Sequence, residues 1–176
     1  ENISEINKPG KKIEDYEEGE VKYNLDKYNS YLNNKGTISV GDLRLEMQKT
    51  MQKHAGVFRN NESMQEGVKK IQDIYNNFDN VYIQDKSNIF NTEFIELLKF
   101  KNLLDNAIVT MHSANYRKES RGAHSHKDYP ERDDINWLAH TIVKLNNNDV
   151  KLTKRNVITS VLSNEVKSIP LAKRVY

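Results

Sequence analysis

The chain has 176 residues and a mass of 20.5 kDa, room for one domain of ordinary size with at most an appendage. Hydrophobic residues make up 36% of it and the mean hydropathy is -0.83, so the core must be small. No stretch approaches the roughly 18 consecutive apolar residues that a membrane helix needs. The absence of cysteine excludes disulfides, thiolate metal sites and a cysteine nucleophile, and seven glycines and three prolines exclude collagen-like or proline-rich material. With Glu1 first, and neither an initiator methionine nor a secretory apolar region, the chain reads as a fragment, a processed chain or a piece of something longer.

The net charge of +2 hides an uneven distribution. Residues 113–176 hold twelve basic and seven acidic side chains, whereas residues 1–112 hold fifteen and eighteen. The basic excess in the last third is interleaved with Glu119, Asp128 and Glu131, a mixture suited to internal salt bridges or a protein interface rather than to tracking phosphates.

In chain order, residues 1–38 read as an entry segment or linker. Lys8-Pro9-Gly10 and Asn33-Asn34-Lys35-Gly36 are turn signals, residues 14–20 are acidic, and Tyr23, Leu25, Tyr28, Tyr31 and Leu32 between them suit a short amphipathic helix. Ser39 with Asp42 three residues on is a capping pattern, and Leu43, Met47, Met51, His54 and Phe58 follow on one helical face. Asn60-Asn61 break that helix. Ser63 to Glu66 repeats the capping pattern, with Met64, Val68, Ile71, Tyr75 and Phe78 as a second stripe. Val81-Tyr82-Ile83 reads as a loop anchor rather than a strand. Asn91 is the expected N-cap of a third and longest helix, with Glu93 and Glu96 placed for its dipole. Phe94, Leu97, Lys101, Leu104, Ile108 and Met111 share one face, and Ile95, Leu98 and Leu103 widen it, so this helix is expected to pack on two sides. Its pattern runs to about Ser120, with Gly122 as the permissive residue beyond.

After Gly122 the period changes. Residues 123–134 are polar and contain Pro130, an ordered or partner-held loop. Residues 135–143 read as a strand, residues 146–149 as a turn and residues 150–157 as the returning strand of a β-hairpin. The tail Ile169-Pro170-Leu171-Ala172-Lys173-Arg174-Val175-Tyr176 is apolar and basic without periodicity. The expected fold is mainly α: a three-helix bundle over 39–122 with a long central third helix, then an ordered loop, a small C-terminal hairpin and an extended tail over 123–176.

Chemistry is sparse. There is no GxGxxG, Walker loop, GxSxG or HExxH. His124-Ser125-His126 with Asp128 lacks a third ligand at a plausible spacing, so no metal is expected. His54, His112 and His140 read as core histidines bonded to neighbours. The densest polar cluster spans residues 115–134, rich in the arginine and carboxylate groups that form bidentate pairs and hold a loop rigid.

That cluster carries a resemblance. Arg117-Lys118-Glu119-Ser120-Arg121-Gly122-Ala123-His124, then Asp128-Tyr129-Pro130-Glu131-Arg132-Asp133-Asp134 and Trp137-Leu138-Ala139-His140-Thr141, resemble the C-terminal region of the succinate dehydrogenase (complex II) flavoprotein subunit. Leu43-Arg44-Leu45-Glu46-Met47-Gln48-Lys49-Thr50-Met51-Gln52, Val57-Phe58-Arg59 and the residues from Ile169 to Tyr176 do so as well. The resemblance covers roughly residues 20–176, with its motifs in order. Fumarate reductase and L-aspartate oxidase share the Glu-Ser-Arg-Gly element.

The resemblance implies a part of an FAD-dependent oxidoreductase that takes succinate to fumarate and passes electrons through an iron–sulfur subunit to quinone. It implies FAD on an upstream domain, and as partners that flavin-binding domain, the iron–sulfur subunit and, indirectly, membrane-anchor subunits. It implies a peripheral place on an inner membrane, on the mitochondrial matrix side or the cytoplasmic side in an α-proteobacterium. The family's catalytic and flavin-binding residues lie upstream of the matching region, so no catalytic, cofactor-binding or metal residue is expected here. The expected interface residues are Arg117, Glu119, Ser120, Arg121, His124, Asp128, Tyr129, Arg132 and Asp133. The alternatives are a separately encoded interaction or assembly module and the equivalent domain of fumarate reductase or L-aspartate oxidase.

Overall fold

A computed structural model describes residues 18–146, 148–161, 163, 165–167 and 169–172. The expected turn at Lys8-Pro9-Gly10, the acidic residues before 18, Asn147 of the hairpin turn and Lys173 to Tyr176 of the tail lie outside the described residues.

The architecture is mainly α with a C-terminal hairpin. Helix α1 is Glu18–Leu32, followed by strand β1 (Ile38–Ser39), α2 (Val40–His54), α3 (Asn61–Asn76), a 3-10 turn (Asn77–Asn80), β2 (Val81–Tyr82), α4 (Thr92–Tyr116), β3 (Ala139–Asn146) and β4 (Asp149–Asn156). Two N-caps fall where the sequence puts them: Ser39 accepts from the Asp42 amide at 3.1 Å and Asn91 from the Phe94 amide at 2.8 Å. The cap of α3 is Asn60, whose Oδ1 accepts from the Ser63 amide at 2.8 Å. Ser63 therefore lies inside the helix, and its hydroxyl is 3.0 Å from His54 Nδ1.

The three stripes meet in one core. Leu43 and Met47 from α2, Ile71 and Ile74 from α3, and Leu97, Phe100, Leu104, Ile108 and Met111 from α4 are all buried. Each such side chain contributes roughly 1.5–3 kcal/mol by leaving water. Phe58, expected to extend the α2 stripe, lies beyond the helix end and is 73% exposed. At the closest approach Gly67 of α3 faces α2 and α4, where a Cβ would come within 2.5 Å of His54 Cβ and 2.8 Å of Met111 Sδ. Helix α1 lies against this bundle through edge-on ring pairs, Tyr28 on Phe94 and Tyr31 on Phe78.

Three expectations are corrected. Val81-Tyr82 is a strand as well as an anchor: it pairs in parallel with Ile38-Ser39, and Val81 and Ile83 are each 2% exposed. The first hairpin strand begins at Ala139, not 135, because Asp133 ties Ile135 and Asn136 into a turn through their amides. Helix α4 stops at Tyr116, with Arg117 in extended conformation. In the hairpin β3 and β4 are antiparallel with Asn146 opposite Asp149, and Leu145 and Val150 lean on the core.

Candidate functional site: the arginine–carboxylate corner

Beyond α4 the chain makes a hydrogen-bonded corner around one buried carboxylate. Arg117 ends the helix, so its guanidinium points back across the base of the hairpin. It bonds Glu119 Oε1, the Trp137 and Ala139 carbonyls and, at 3.3 Å, Thr141 Oγ1. Arg121 reaches the same carboxylate from the next turn, with Nε 2.8 Å from Oε1 and Nη2 3.0 Å from Oε2. The Asp133 amide donates the remaining bond at 2.9 Å. Glu119 is 0% exposed. Burial alone would push its carboxyl up, but the bonds from Arg121, the Asp133 amide and Arg117 outweigh burial and hold it below the ordinary range. Asp134 extends the network, accepting from Arg121 at 2.6 Å and from Arg132 at 2.7 Å. Arg132 also donates to the Ala172 carbonyl at 2.8 Å, fastening the described tail.

A second set of bonds holds the loop to the link between α2 and α3. Arg59 donates to the Gly56 and Ala55 carbonyls at the end of α2 and sets Nη1 2.7 Å from His124 Nδ1. Because guanidinium can only donate, His124 Nδ1 accepts and Nε2 carries the proton toward the Arg117 carbonyl, 3.3 Å away. Burial first, then the neighbouring cations, pushes the His124 pKa down and keeps the ring neutral. The Lys127 amide donates to the Arg59 carbonyl at 2.8 Å. Asp128 accepts from the Asn61 amide at 2.7 Å, a carboxylate at the N-terminus of α3 where the helix dipole favours it. Ser120 Oγ donates to the Tyr129 carbonyl and accepts from the His126 amide. His126 is 1% exposed, with Nδ1 accepting from the Asp128 amide and its ring edge-on to Tyr129.

The nine expected interface residues are thus brought together, but mostly with polar atoms turned inward. Arg117, Glu119, Arg121 and Asp133 share one network; Ser120 and Tyr129 close the loop; His124 and Asp128 bind it to the bundle; Arg132 holds Asp134 and the tail. Arg59, His126 and Asp134 complete the site and were not among the expected interface residues, although Arg59 and Asp134 stand inside the quoted motifs and His126 was weighed only as a metal ligand. Gly122 is not a helix terminator. It takes φ +57° in the turn that Arg121 and His124 close with reciprocal backbone bonds. His54 is buried as expected, with Ser63 on Nδ1; His112 Nε2 has no hydrogen-bond partner among the described residues; His140 is exposed on the hairpin rather than in the core.

A cleft of about 610 Å³ opens between α4 and the hairpin, lined by Arg59, Arg117, Arg121, His124, Trp137 and His140 among others. It contains no carboxylate base beside a nucleophile, and among the described residues no three His, Asp or Glu side chains group as metal ligands. Nor do the described residues show a glycine-rich turn running into a helix N-terminus, the cradle a dinucleotide pyrophosphate takes. No residue here is therefore assigned to FAD.

Residues 44–176 match the family described as fumarate reductase flavoprotein C-term. Over 174 residues the chain is 42% identical to a succinate dehydrogenase flavoprotein subunit of Rickettsia bellii, covering 98% of this chain and 29% of the relative. It is 38% identical to a mitochondrial succinate dehydrogenase [ubiquinone] flavoprotein subunit of Oryza sativa, covering 99% and 28%. Among solved structures, E. coli quinol fumarate reductase superposes with a TM-score of 0.83 at 30% identity, covering 95% of this chain and 28% of that one. The chain thus spans less than a third of the length of the relatives it matches.

Proposed function

The chain belongs to the family of flavoprotein C-terminal domains shared by succinate dehydrogenase and fumarate reductase, and from that premise we propose that it serves as the docking domain of a succinate:quinone oxidoreductase flavoprotein. In this reading the complete subunit oxidises succinate to fumarate on FAD held upstream. Electrons pass to an iron–sulfur subunit and on to quinone, and the assembly sits peripherally on an inner membrane through other subunits. Among the described residues no helix is long and apolar enough to cross a membrane.

This segment's own part is to hold a shaped surface. The observation that carries it is the contrast at the corner. Glu119 is fully buried between Arg117 and Arg121, and a set of bonds from His124, Lys127 and Asp128 pins the corner to the α2–α3 link. On that same link Val57 and Phe58 remain 72% and 73% exposed. A rigid polar frame that displays an apolar pair has already met the ordering cost of binding, so a partner gains most from covering it. Arg117, Glu119, Ser120, Arg121, His124, Asp128, Tyr129, Arg132 and Asp133 act here as positioning residues for the docked face.

The test is Arg121→Ala in the complete complex. Assembly, flavin retention and succinate oxidation should fall together. If all three stay at wild-type level, the docking role of the corner is refuted.

A further inference from the structure

The opposite end of α4 carries a feature that the corner does not explain. Phe90, just before the Asn91 cap, has φ +53° and is 97% exposed, and its neighbour Ile89 is 75% exposed. A bulky side chain in the left-handed region is a genuine outlier and persists only where its surroundings fix it. Here they do. Glu93 Oε2 accepts from the Gln84 and Asp85 amides at 2.8 and 2.9 Å, and Asn91 Nδ2 donates to the Asp85 and Ser87 carbonyls at 2.7 and 3.0 Å. The loop is therefore braced from within while it holds two apolar side chains out in water.

Phe90 also opens onto an apolar surface. A hollow of about 440 Å³ runs from Phe90 past Phe94 and Ile95 to Lys99, and a second of about 400 Å³, sharing Glu96 and Lys99 with it, continues to Leu103. Ile95 and Leu103 are 49% and 42% exposed. On this face the single carboxylate of Glu96 is shared between Lys99 and Arg44. The sequence makes α4 apolar on two sides; α2 and α3 cover one, and this is the other.

We propose that Phe90 with the outer face of α4 forms a second docking surface, seated in an apolar recess of the flavoprotein polypeptide that the relatives carry outside this segment. This rests on the docking-domain reading above. More than two thirds of each relative's length lies outside the matched part, and the family is that of the C-terminal part. In a chain of that length the preceding polypeptide enters through α1, and α1 lies beside this same end of α4, where Tyr28 meets Phe94 with ring centroids 6.2 Å apart. The exposed apolar surface of Phe90, Ile95 and Leu103, with its one carboxylate already paired, fits an apolar recess of the same polypeptide better than a highly charged partner.

The experiment uses the complete flavoprotein in its assembled complex. With the photoreactive substitution Phe90→p-benzoylphenylalanine, irradiation should cross-link to residues of the same polypeptide N-terminal to this segment. Cross-links to another subunit or to a second copy, or none, overturn the proposal. Phe90→Gly supplies a test by sign. Glycine relieves the left-handed strain, so a solvent-facing Phe90 predicts an unchanged or raised thermal midpoint for the complete flavoprotein, which also overturns it. A seated Phe90 predicts a lowered midpoint. The corner lies at the far end of a 25-residue helix, so Arg121→Ala and Phe90→Gly fail or succeed independently.

Discussion

Glu119 is the side chain on which the corner turns. Removing its charge leaves Arg117, largely withdrawn from water, without a counter-ion and leaves Arg121 with Asp134 alone. Breaking one partner of a buried ion pair typically costs about 3–5 kcal/mol. Glu119→Gln should therefore lower stability by about that amount in urea unfolding. The pH response follows from the same groups. The Glu119 pKa is depressed in the fold from 4.5, so its contribution is complete above about that pH and is lost as pH falls through the lower folded value. His112, His124 and His126 are held neutral, their pKa values pushed down from 6.5 by burial. Their contribution is complete above about pH 6.5 and declines below it, because the unfolded chain takes up protons first. Thermal midpoints measured from neutral to about pH 2 should thus fall in two stages, and Glu119→Gln should flatten only the more acidic one.

Among the elements, Gly67 gives a prediction whose sign opposes helix propensity. Alanine in mid-helix usually gains up to about 1 kcal/mol over glycine. Here the added methyl meets His54 Cβ and the Met111 thioether, and overpacking of that kind costs about 1–3 kcal/mol. Gly67→Ala should lower the denaturation midpoint. What the sequence made legible at this scale was local. Ser39 and Asn91 were readable as caps because a cap satisfies amides only two or three residues away. Asn60 was not, since Ser63 offers an equally good local pattern and only the packing of His54 against Ser63 decides between them. Gly122 and Ile135 were misplaced for a related reason: Arg121–His124 closure and the Asp133 turn override the continuing helical and strand-like patterns. The pairing of Ile38-Ser39 with Val81-Tyr82 spans 43 positions, and no local pattern announces it.

At the scale of the whole molecule, the chemistry-bearing residue types were visible as a cluster, and the resemblance supplied the family. Their inward orientation was not visible, because it depends on Arg59 arriving from another part of the chain and on the fold of the loop that turns Asp134 back onto Arg121. The described residues form a shaped body without a cofactor cradle. On the docking-domain reading, the 176-residue chain alone should retain no flavin absorbance after gel filtration with FAD and should turn over no succinate, whereas the complete complex should do both. Tight flavin binding with turnover by the chain alone would contradict the docking-domain reading.

The fastening of residues 124–128 to Arg59 and Asn61 has a kinetic consequence. Those contacts join positions more than 60 apart, so closing them carries a large loop entropy, and they should lock only after the helices have collapsed. The Lys127 and Asn61 amides should then exchange with deuterium through a shared partial opening, faster than amides in the middle of α4, so that this hasp unlatches while the bundle stays shut.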